Sequence, residues 1–218
     1  LEVLLKTEFV HYIDTAALSL IIPIIEYGLR NRDSTLRKYA SQLVGSISNL
    51  IKNPADLEPY LEMLINALKM AVCDTIADVR AIAARAYGAL CKKLDFQNAA
   101  KLIYSIKEIL ENGESTSIDR AGAAQAMGEI TYALGIPYVE KVLPVYLANT
   151  KSTQMHIRES YIGIFAFLPT IMDEEFEPYI PEVVDNIIES VSEDNETIRN
   201  LALRVCKILI QRFGLKKT

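Results

Sequence analysis

The chain has 218 residues, of which 50% are hydrophobic and 23% are charged, and this balance excludes an intrinsically disordered protein. Its three scattered cysteines exclude a disulfide framework, and its net charge of −5 argues against a protein that coats nucleic acid indiscriminately. No apolar stretch reaches the roughly 20 residues that span a membrane, so we expect a cytoplasmic chain. Because it starts with Leu instead of Met, we interpret it as a fragment of a longer protein.

A motif that recurs along the chain predicts a repeat protein. An arginine, preceded by an aliphatic residue or a short polar substitute, recurs at intervals of 43, 40, 38 and 41 residues. A small residue stands three positions after four of the five arginines, and glycine stands eight positions after the first three. Asp or another polar residue lies four to six positions before each of them. These arginines, which we call the arginine ladder, are Arg37, Arg80, Arg120, Arg158 and Arg199.

A second mark divides each unit into two helices. Pro-Tyr pairs at 59–60, 137–138 and 178–179 lie 21 residues before a ladder arginine, and proline is favoured at the first position of a helix. The Asp-to-Arg stretch then predicts a turn and a second helix start. In chain order, helix A is predicted over 15–30, 57–73, 96–111, 137–149 and 175–191, and helix B over 34–50, 77–93, 116–134, 154–168 and 195–213.

These pairs predict an all-α protein whose fold is an α-α superhelix, a HEAT-repeat solenoid of about five helix pairs. One pair cannot bury its own apolar face, so successive pairs must stack. Stop signals at Leu94-Asp95, Gly135 and Pro169 end the second, third and fourth B helices. We expect a single array with units over 15–50, 57–93, 96–134, 137–168 and 175–213.

Several motifs resemble one particular family of HEAT proteins. Residues 4–14 (Leu-Leu-Lys-Thr-Glu-Phe-Val-His-Tyr-Ile-Asp) and 37–45 resemble a region shared by fungal translation elongation factor three and by the ribosome-bound co-activator of the general amino-acid control kinase. Residues 117–125, which contain Asp-Arg-Ala-Gly-Ala-Ala-Gln, and residues 156–169 resemble the co-activator in particular. The resemblance covers nearly the whole chain.

The resemblance implies a role in translation control. Members of this family bind stalled ribosomes and help to activate the kinase of initiation factor two alpha. The central, elongation-factor-three-like segment, which this chain resembles, contacts the ribosome (ribosomal RNA or ribosomal protein) and an ABC-type ATPase partner in that family. No motif here matches the family's kinase-binding segment, so we do not expect this chain to bind the kinase.

The sequence contains no reactive constellation. A Gly-x-x-x-x-Gly-Lys-[Ser/Thr] phosphate loop is absent, and neither His11 nor His156 lies in a metal-ligand pattern. Cys73 and Cys91 fit small core residues near helix ends better than redox centres. We therefore predict a protein that is not an enzyme and that uses no metal, cofactor or small-molecule substrate.

The arginine ladder could be a phosphate-binding track or a structural feature. Arginine at a helix start, five or six residues after Asp, fits hydrogen bonds to the turn of its own or the adjacent repeat. We predict the structural role, so that replacing Arg80 or Arg158 lowers stability before it affects binding.

Charge is distributed unevenly along the chain. Residues 1–110 have a net charge of +1 and residues 111–218 a net charge of −6, and from 159 to 198 there are 11 acidic residues and no Lys or Arg. Phosphates would be repelled there, so any contact with ribosomal RNA should fall in the first half. The candidates are the first basic cluster (Arg30, Arg32 and Lys38) and the second basic cluster (Lys92, Lys93 and Lys101).

Two alternatives to the ribosome-associated regulator stay open. The chain could be the HEAT segment of an elongation-factor-three-like ABC ATPase. It could also be an adaptor that binds protein cargo, such as a transport receptor or a phosphatase scaffold; the acidic run suits a transport receptor, but the absence of Trp does not.

Overall fold

The computed structural model describes residues 1–6 and 12–214, and nearly all of its regular structure is helical. The only β contact within these residues is an isolated parallel bridge between Ile13 and Ile51. Three 3-10 helices cover Pro54–Tyr60, Asp173–Tyr179 and Ile188–Ser192. The α-helices are α1 (Glu2–Lys6), α2 (Thr15–Leu29), α3 (Ser34–Leu50), α4 (Leu61–Val72), α5 (Ala77–Lys93), α6 (Phe96–Glu111), α7 (Ser117–Ala133), α8 (Ile136–Asn149), α9 (Met155–Phe165), α10 (Leu168–Met172), α11 (Ile180–Ile187) and α12 (Glu196–Phe213).

The helices stack as two layers. The A layer contains α2, α4, α6, α8 and α11, and the B layer contains α3, α5, α7, α9 and α12. Each B helix packs against the B helix of the next pair, from α3 through to α12. The predicted all-α solenoid of five helix pairs is therefore confirmed. No helix in the part of the chain that the structure describes is long and apolar enough to cross a bilayer.

Short polar residues cap five of the described α-helices: α2, α3, α6, α7 and α12. The carboxylate of Asp14 accepts a hydrogen bond from the backbone N–H of Ala17, and Asp33 and Asp95 cap α3 and α6 in the same way. At α7 the cap is reciprocal: the Thr116 hydroxyl accepts from the N–H of Asp119, whose carboxylate accepts from the N–H of Thr116. Each such cap contributes about 1 kcal/mol and fixes where a helix starts.

The core is a continuous strip of aliphatic side chains between the layers, and it includes a few buried polar groups with partners. Tyr87 is fully buried, and its hydroxyl donates to the carbonyl of Ile65 at 3.1 Å and lies 3.3 Å from the Ser105 hydroxyl. Burial raises the pKa of Tyr87 well above its ordinary value, so the phenol stays neutral. This side chain joins α4, α5 and α6 without placing a charge in the core.

Two glycines allow unusually close packing of helices. A Cβ at Gly122 in α7 would lie 1.9 Å from the carbonyl oxygen of Val72, and a Cβ at Gly88 in α5 would lie 2.9 Å from that of Glu129. Real Cβ atoms do not approach a backbone oxygen this closely, so only glycine fits. These contacts set the spacing of the second and third helix pairs.

The structure differs from the predicted helices mainly near prolines. The fourth B helix ends at Phe165, and Pro169, which we expected to end it, lies in the first turn of a separate short helix, α10. The fifth A helix, predicted as one element, is α11 between two 3-10 helices. Pro178 and Pro181 explain the break before α11, because neither has an N–H to donate to a continuous helix.

The Pro-Tyr marks also differ from one unit to another. Pro137 lies in the first turn of α8, as expected of a helix start. Pro59 and Pro178 instead lie inside 3-10 helices, each two residues before the α-helix begins. The Pro-Tyr pair therefore marks the first turn of an α-helix in one unit and the end of a 3-10 helix that leads into an α-helix in the other two.

Candidate interaction surfaces

Every ladder arginine donates hydrogen bonds to carbonyl oxygens in the turn between helix A and helix B of its own repeat. The Nη1 group of Arg80, for example, donates to the carbonyls of Asp74 and Thr75 at 2.7 and 3.0 Å. Arg37, Arg158 and Arg199 each contact two such carbonyls, and Arg120 contacts that of Ser115. These carbonyls belong to turn residues that have no helical partner, so the arginines tie each turn to the start of its B helix.

Three ladder arginines also reach a carboxylate of the following repeat. Arg37 binds Asp74 through two nitrogens, with Nε–Oδ2 and Nη2–Oδ1 distances of 2.5 and 3.1 Å. Arg120 binds Glu159 through Nε and Nη2 at 2.9 and 2.8 Å, and both side chains are buried. Arg158 pairs with Glu193. Because these guanidinium groups already have partners inside the protein, few of their donors remain for a phosphate.

The first basic cluster lies at the turn between α2 and α3. Arg30 is exposed and lies 3.2 Å from the carboxylate of Glu26, one helical turn earlier. Lys38 is half-buried and lies 3.2 Å from the carboxylate of Asp78 in the next repeat. Arg32 is exposed. Two of the three cations are therefore partly neutralised by neighbouring carboxylates.

The second basic cluster lies where α5 ends and α6 begins. Lys92 is exposed and Lys93 is half-buried. Lys101, in the second turn of α6, donates to the side-chain oxygen of Asn98 at 2.9 Å. None of the three lysines is within 4 Å of a carboxylate oxygen among the described residues, so this cluster keeps more of its positive charge than the first.

The structure does not bring the two clusters together. The first lies where B helices start and the second where they end. A B helix of 17 residues, such as α5, is about 25 Å long at 1.5 Å per residue. The clusters therefore lie on opposite edges of the solenoid and cannot form one patch.

The described residues contain no cluster that resembles a metal site. No group of three His, Cys, Asp or Glu side chains in residues 1–6 and 12–214 is arranged to hold a metal ion. His156 lies against Gly113, while His11 falls outside the described residues. Burial raises the pKa of both Cys73 and Cys91 to about 12, so these thiols stay protonated and unreactive at neutral pH.

Sequence reasoning missed a groove on the exposed side of the B layer. Arg85 and Arg204 line it together with the half-buried side chains of Gln125, Glu129 and Phe167. The repeat could have indicated it. The residue five positions after each ladder arginine lies on the exposed side of its B helix. The residues at that position, which we call the B-face row, are Gln42, Arg85, Gln125, Gly163 and Arg204.

Comparison with known proteins shows similarity along the whole chain. Residues 1–101 match the family model described as Elongation factor 3/GNC1 HEAT repeat. The chain is 36% identical over 216 residues to the eIF-2-alpha kinase activator GCN1 of Saccharomyces cerevisiae, covering 99% of this chain and 8% of that protein. It is 34% identical over 216 residues to the stalled ribosome sensor GCN1 of Mus musculus, covering 98% and 8%.

Similarity to elongation factor 3 is shorter. Elongation factor 3 of Eremothecium gossypii is 32% identical over 75 residues, which cover 34% of this chain and 7% of that protein. The chain thus spans less than a tenth of the length of these curated relatives.

Proposed function

Because this chain is a HEAT-repeat segment that resembles the elongation-factor-3-like region of the GCN1 proteins, we propose that it is a scaffold segment of a ribosome-associated translational regulator. The regulator would promote activation of the initiation factor two alpha kinase during amino-acid starvation. The observation that carries this proposal is the identity of about a third over 98–99% of the chain to relatives described as an eIF-2-alpha kinase activator and as a stalled ribosome sensor.

The fold supports a role that depends on surface alone. A solenoid of stacked helix pairs has a large surface for its length, and neighbouring repeats can each supply part of one binding site. We propose that the chain is not an enzyme and that it acts in the cytoplasm, where its ribosomal partner is found. An ABC-type ATPase partner remains a proposal that rests on the family resemblance.

The second basic cluster is the better candidate for contact with ribosomal RNA. Its three lysines have no carboxylate within 4 Å in the described part of the chain, whereas Arg30 and Lys38 of the first cluster are paired. Phosphate binding releases counterions, so a contact made by Lys92, Lys93 and Lys101 should weaken as salt increases. The first cluster stays a second candidate for the same kind of contact.

Co-sedimentation of the 218-residue chain with ribosomes, at low and at physiological salt, tests this proposal. We expect the chain to sediment with ribosomes and the triple charge reversal Lys92→Glu, Lys93→Glu and Lys101→Glu to reduce the bound fraction and flatten its salt dependence. A matched control reverses three lysines elsewhere: Lys107, Lys141 and Lys151.

Different outcomes would reject different parts of the proposal. If the chain does not sediment at either salt concentration, this segment does not bind ribosomes by itself. If it sediments and both triple variants behave like the unmodified chain, the segment binds but the second basic cluster is not the contact. Thermal unfolding of each variant shows whether a loss of binding is instead a loss of structure.

The elongation factor 3 alternative is less well supported. The similarity to that protein covers 34% of this chain, against 98–99% for the GCN1 proteins. The Asp-Arg-Ala-Gly-Ala-Ala-Gln motif at 119–125, which resembles the co-activator, also favours the regulator.

A further inference from the structure

The B-face row places amide and guanidinium groups at one register position of consecutive repeats. Gln42 and Arg85 line one groove between α3 and α5. Arg85, Gln125 and Arg204 line the next groove, which has a volume of about 490 Å³. Arg204 and Gly163 line a third groove between α7, α9 and α12. Arg85 and Arg204 each line two of these grooves, so the three are neighbours along the B layer, and we call them together the channel.

The two arginines give this channel positive charge in a chain whose net charge is −5. Both are exposed, and neither is within 4 Å of a carboxylate oxygen in the described part of the chain, unlike Arg37, Arg120 and Arg158 of the ladder. The guanidinium carbon of Arg204 lies 5.3 Å from the centre of the Phe167 ring, which holds the side chain over the channel.

Two carboxylates line the channel. Glu159, in the third groove, is already paired with Arg120. Glu129 lies in the central groove with Arg85 and Arg204. Burial raises the pKa of Glu129, while the nearby Arg85 acts in the opposite direction. Glu129 is therefore a negative charge that the two exposed guanidinium groups face in this groove.

An extended polypeptide advances along its axis at a rate comparable with the stacking of helices. Packed helices lie about 8–10 Å apart, and an extended chain rises about 3.3 Å per residue, so three residues span about one repeat. Glutamine side chains can donate to and accept from a peptide backbone, and arginine pairs with carboxylates in a bidentate geometry. Phe167, which is half-buried and close to Arg204, offers an apolar surface beside these polar groups.

We propose that the B-face row binds an extended acidic segment of a partner protein. Arg85 and Arg204 pair with carboxylates of that segment, Gln42 and Gln125 contact its backbone, and Phe167 supports an apolar side chain. An RNA strand fits less well, since the row itself contains no aromatic side chain on which a base could stack. This site is separate from the basic clusters, so it does not depend on ribosome binding.

Fluorescence anisotropy with the 218-residue chain and a labelled synthetic peptide tests the proposal. The peptide has about twelve residues, enough to extend over the four steps of about 10 Å from the first repeat to the fifth. It alternates Asp or Glu with Gly and Leu, and a matched peptide carries Asn and Gln in place of the acids. We expect the acidic peptide to bind at least tenfold more tightly than its amide counterpart.

Variants locate the contact. Arg85→Gln with Arg204→Gln should weaken binding of the acidic peptide about tenfold, and Arg85→Glu with Arg204→Glu should abolish it. Lys107→Glu with Lys141→Glu makes the same change in net charge on the A layer and should leave the affinity within about twofold. Glu129→Gln removes the opposing carboxylate and should tighten binding severalfold, an effect that a damaged fold would not produce.

Three results would overturn the proposal. One is failure of the acidic peptide to bind, and another is equal binding of the acidic and amide peptides. The third concerns a poly-uridine oligonucleotide. If it binds more tightly than the acidic peptide, competes with that peptide and no longer binds the arginine variants, the channel is a nucleic-acid site.

Discussion

Arg120 and Arg199 occupy the same register position in two repeats but have different surroundings. Arg120 is buried, donates to a turn carbonyl and pairs with the buried carboxylate of Glu159. Arg199 is half-buried and, within residues 1–6 and 12–214, donates only to the turn carbonyls of Glu193 and Asp194, at 2.8 and 3.2 Å. A buried charge that loses its partner has no water to replace it, so these two arginines should differ in their effect on stability.

We predict that Arg120→Ala lowers the free energy of unfolding by about 3 kcal/mol and Arg199→Ala by about 1 kcal/mol. The larger cost comes from the uncompensated carboxylate of Glu159. Urea denaturation followed by circular dichroism measures both values. Equal losses for the two variants would contradict the structural role that we assign to the buried pair.

A second variant separates the two parts of this effect. Glu159→Gln together with Arg120→Ala leaves no buried charge without a partner, so it should be less destabilising than Arg120→Ala alone. If the double variant is instead the less stable one, packing of the arginine stem and not the charge accounts for the loss.

At the scale of elements, two helix glycines differ in whether the neighbouring helix leaves room for a Cβ atom. The Cβ position of Gly122 overlaps the Val72 carbonyl oxygen, whereas a Cβ at Gly45 would lie 3.6 Å from Ala86 Cα, an ordinary contact distance. Both glycines lie inside B helices, where glycine costs about 0.5–1 kcal/mol relative to alanine. The same substitution therefore has opposite consequences at the two sites.

Gly122→Ala should destabilise the chain by about 3 kcal/mol or more, because α7 must move away from the end of α4. Gly45→Ala should stabilise it by about 0.5–1 kcal/mol, because the helix gains a better helix former at no steric cost. Thermal unfolding monitored by far-ultraviolet circular dichroism compares the two. A loss of stability in both variants would show that the first and second B helices are closer than the structure indicates.

The sequence predicted the helix pairs well and their local geometry less well. The arginine ladder and the apolar spacing identify ten helical regions because both recur once per repeat. The breaks around Pro169 and Pro178 were not predictable from the marks alone, since proline is compatible with the first turn of a helix and with a 3-10 turn. Choosing between these depends on the packing of the neighbouring repeat.

The carboxylate partners of the ladder show the same limit. Arg37 and Arg158 pair with residues six positions before the next ladder arginine, Asp74 and Glu193. Ser152 occupies that position after the third repeat, and Arg120 pairs instead with Glu159. The B-face row was missed for a similar reason: its members are far apart in sequence, and only stacking shows that they share a channel.

At the scale of the whole molecule, each repeat is stabilised mainly by its neighbours. The central helices α5 and α7 contact B helices on both sides, while α12 has a B helix on one side only. Leu90 of α5 and Ala124 of α7 are fully buried, whereas Leu203 and Ile210 of α12 are 47% and 68% exposed. Stability in such an array is a sum of repeat and interface terms, so it should decrease towards the ends.

Hydrogen–deuterium exchange should therefore be slowest in α5 and α7 and faster in α2 and α12. The 3-10 helix Ile188–Ser192 should exchange fastest of the elements between α2 and α12, since it is short and partly exposed. Mass spectrometry of peptic fragments measures these rates. A single rate common to all helices would show that the chain unfolds only as one unit, contrary to the nearest-neighbour picture.

The arginine ladder has a practical consequence for anyone who shortens this chain. Because Arg158 belongs to the fourth repeat but pairs with Glu193, a truncation at residue 192 would remove the only carboxylate that it contacts among the described residues. Its Nε atom is already buried without a partner there. An expression fragment should therefore end after the acidic residue that pairs with the ladder arginine of its last repeat. It should not end at the last residue of helix B.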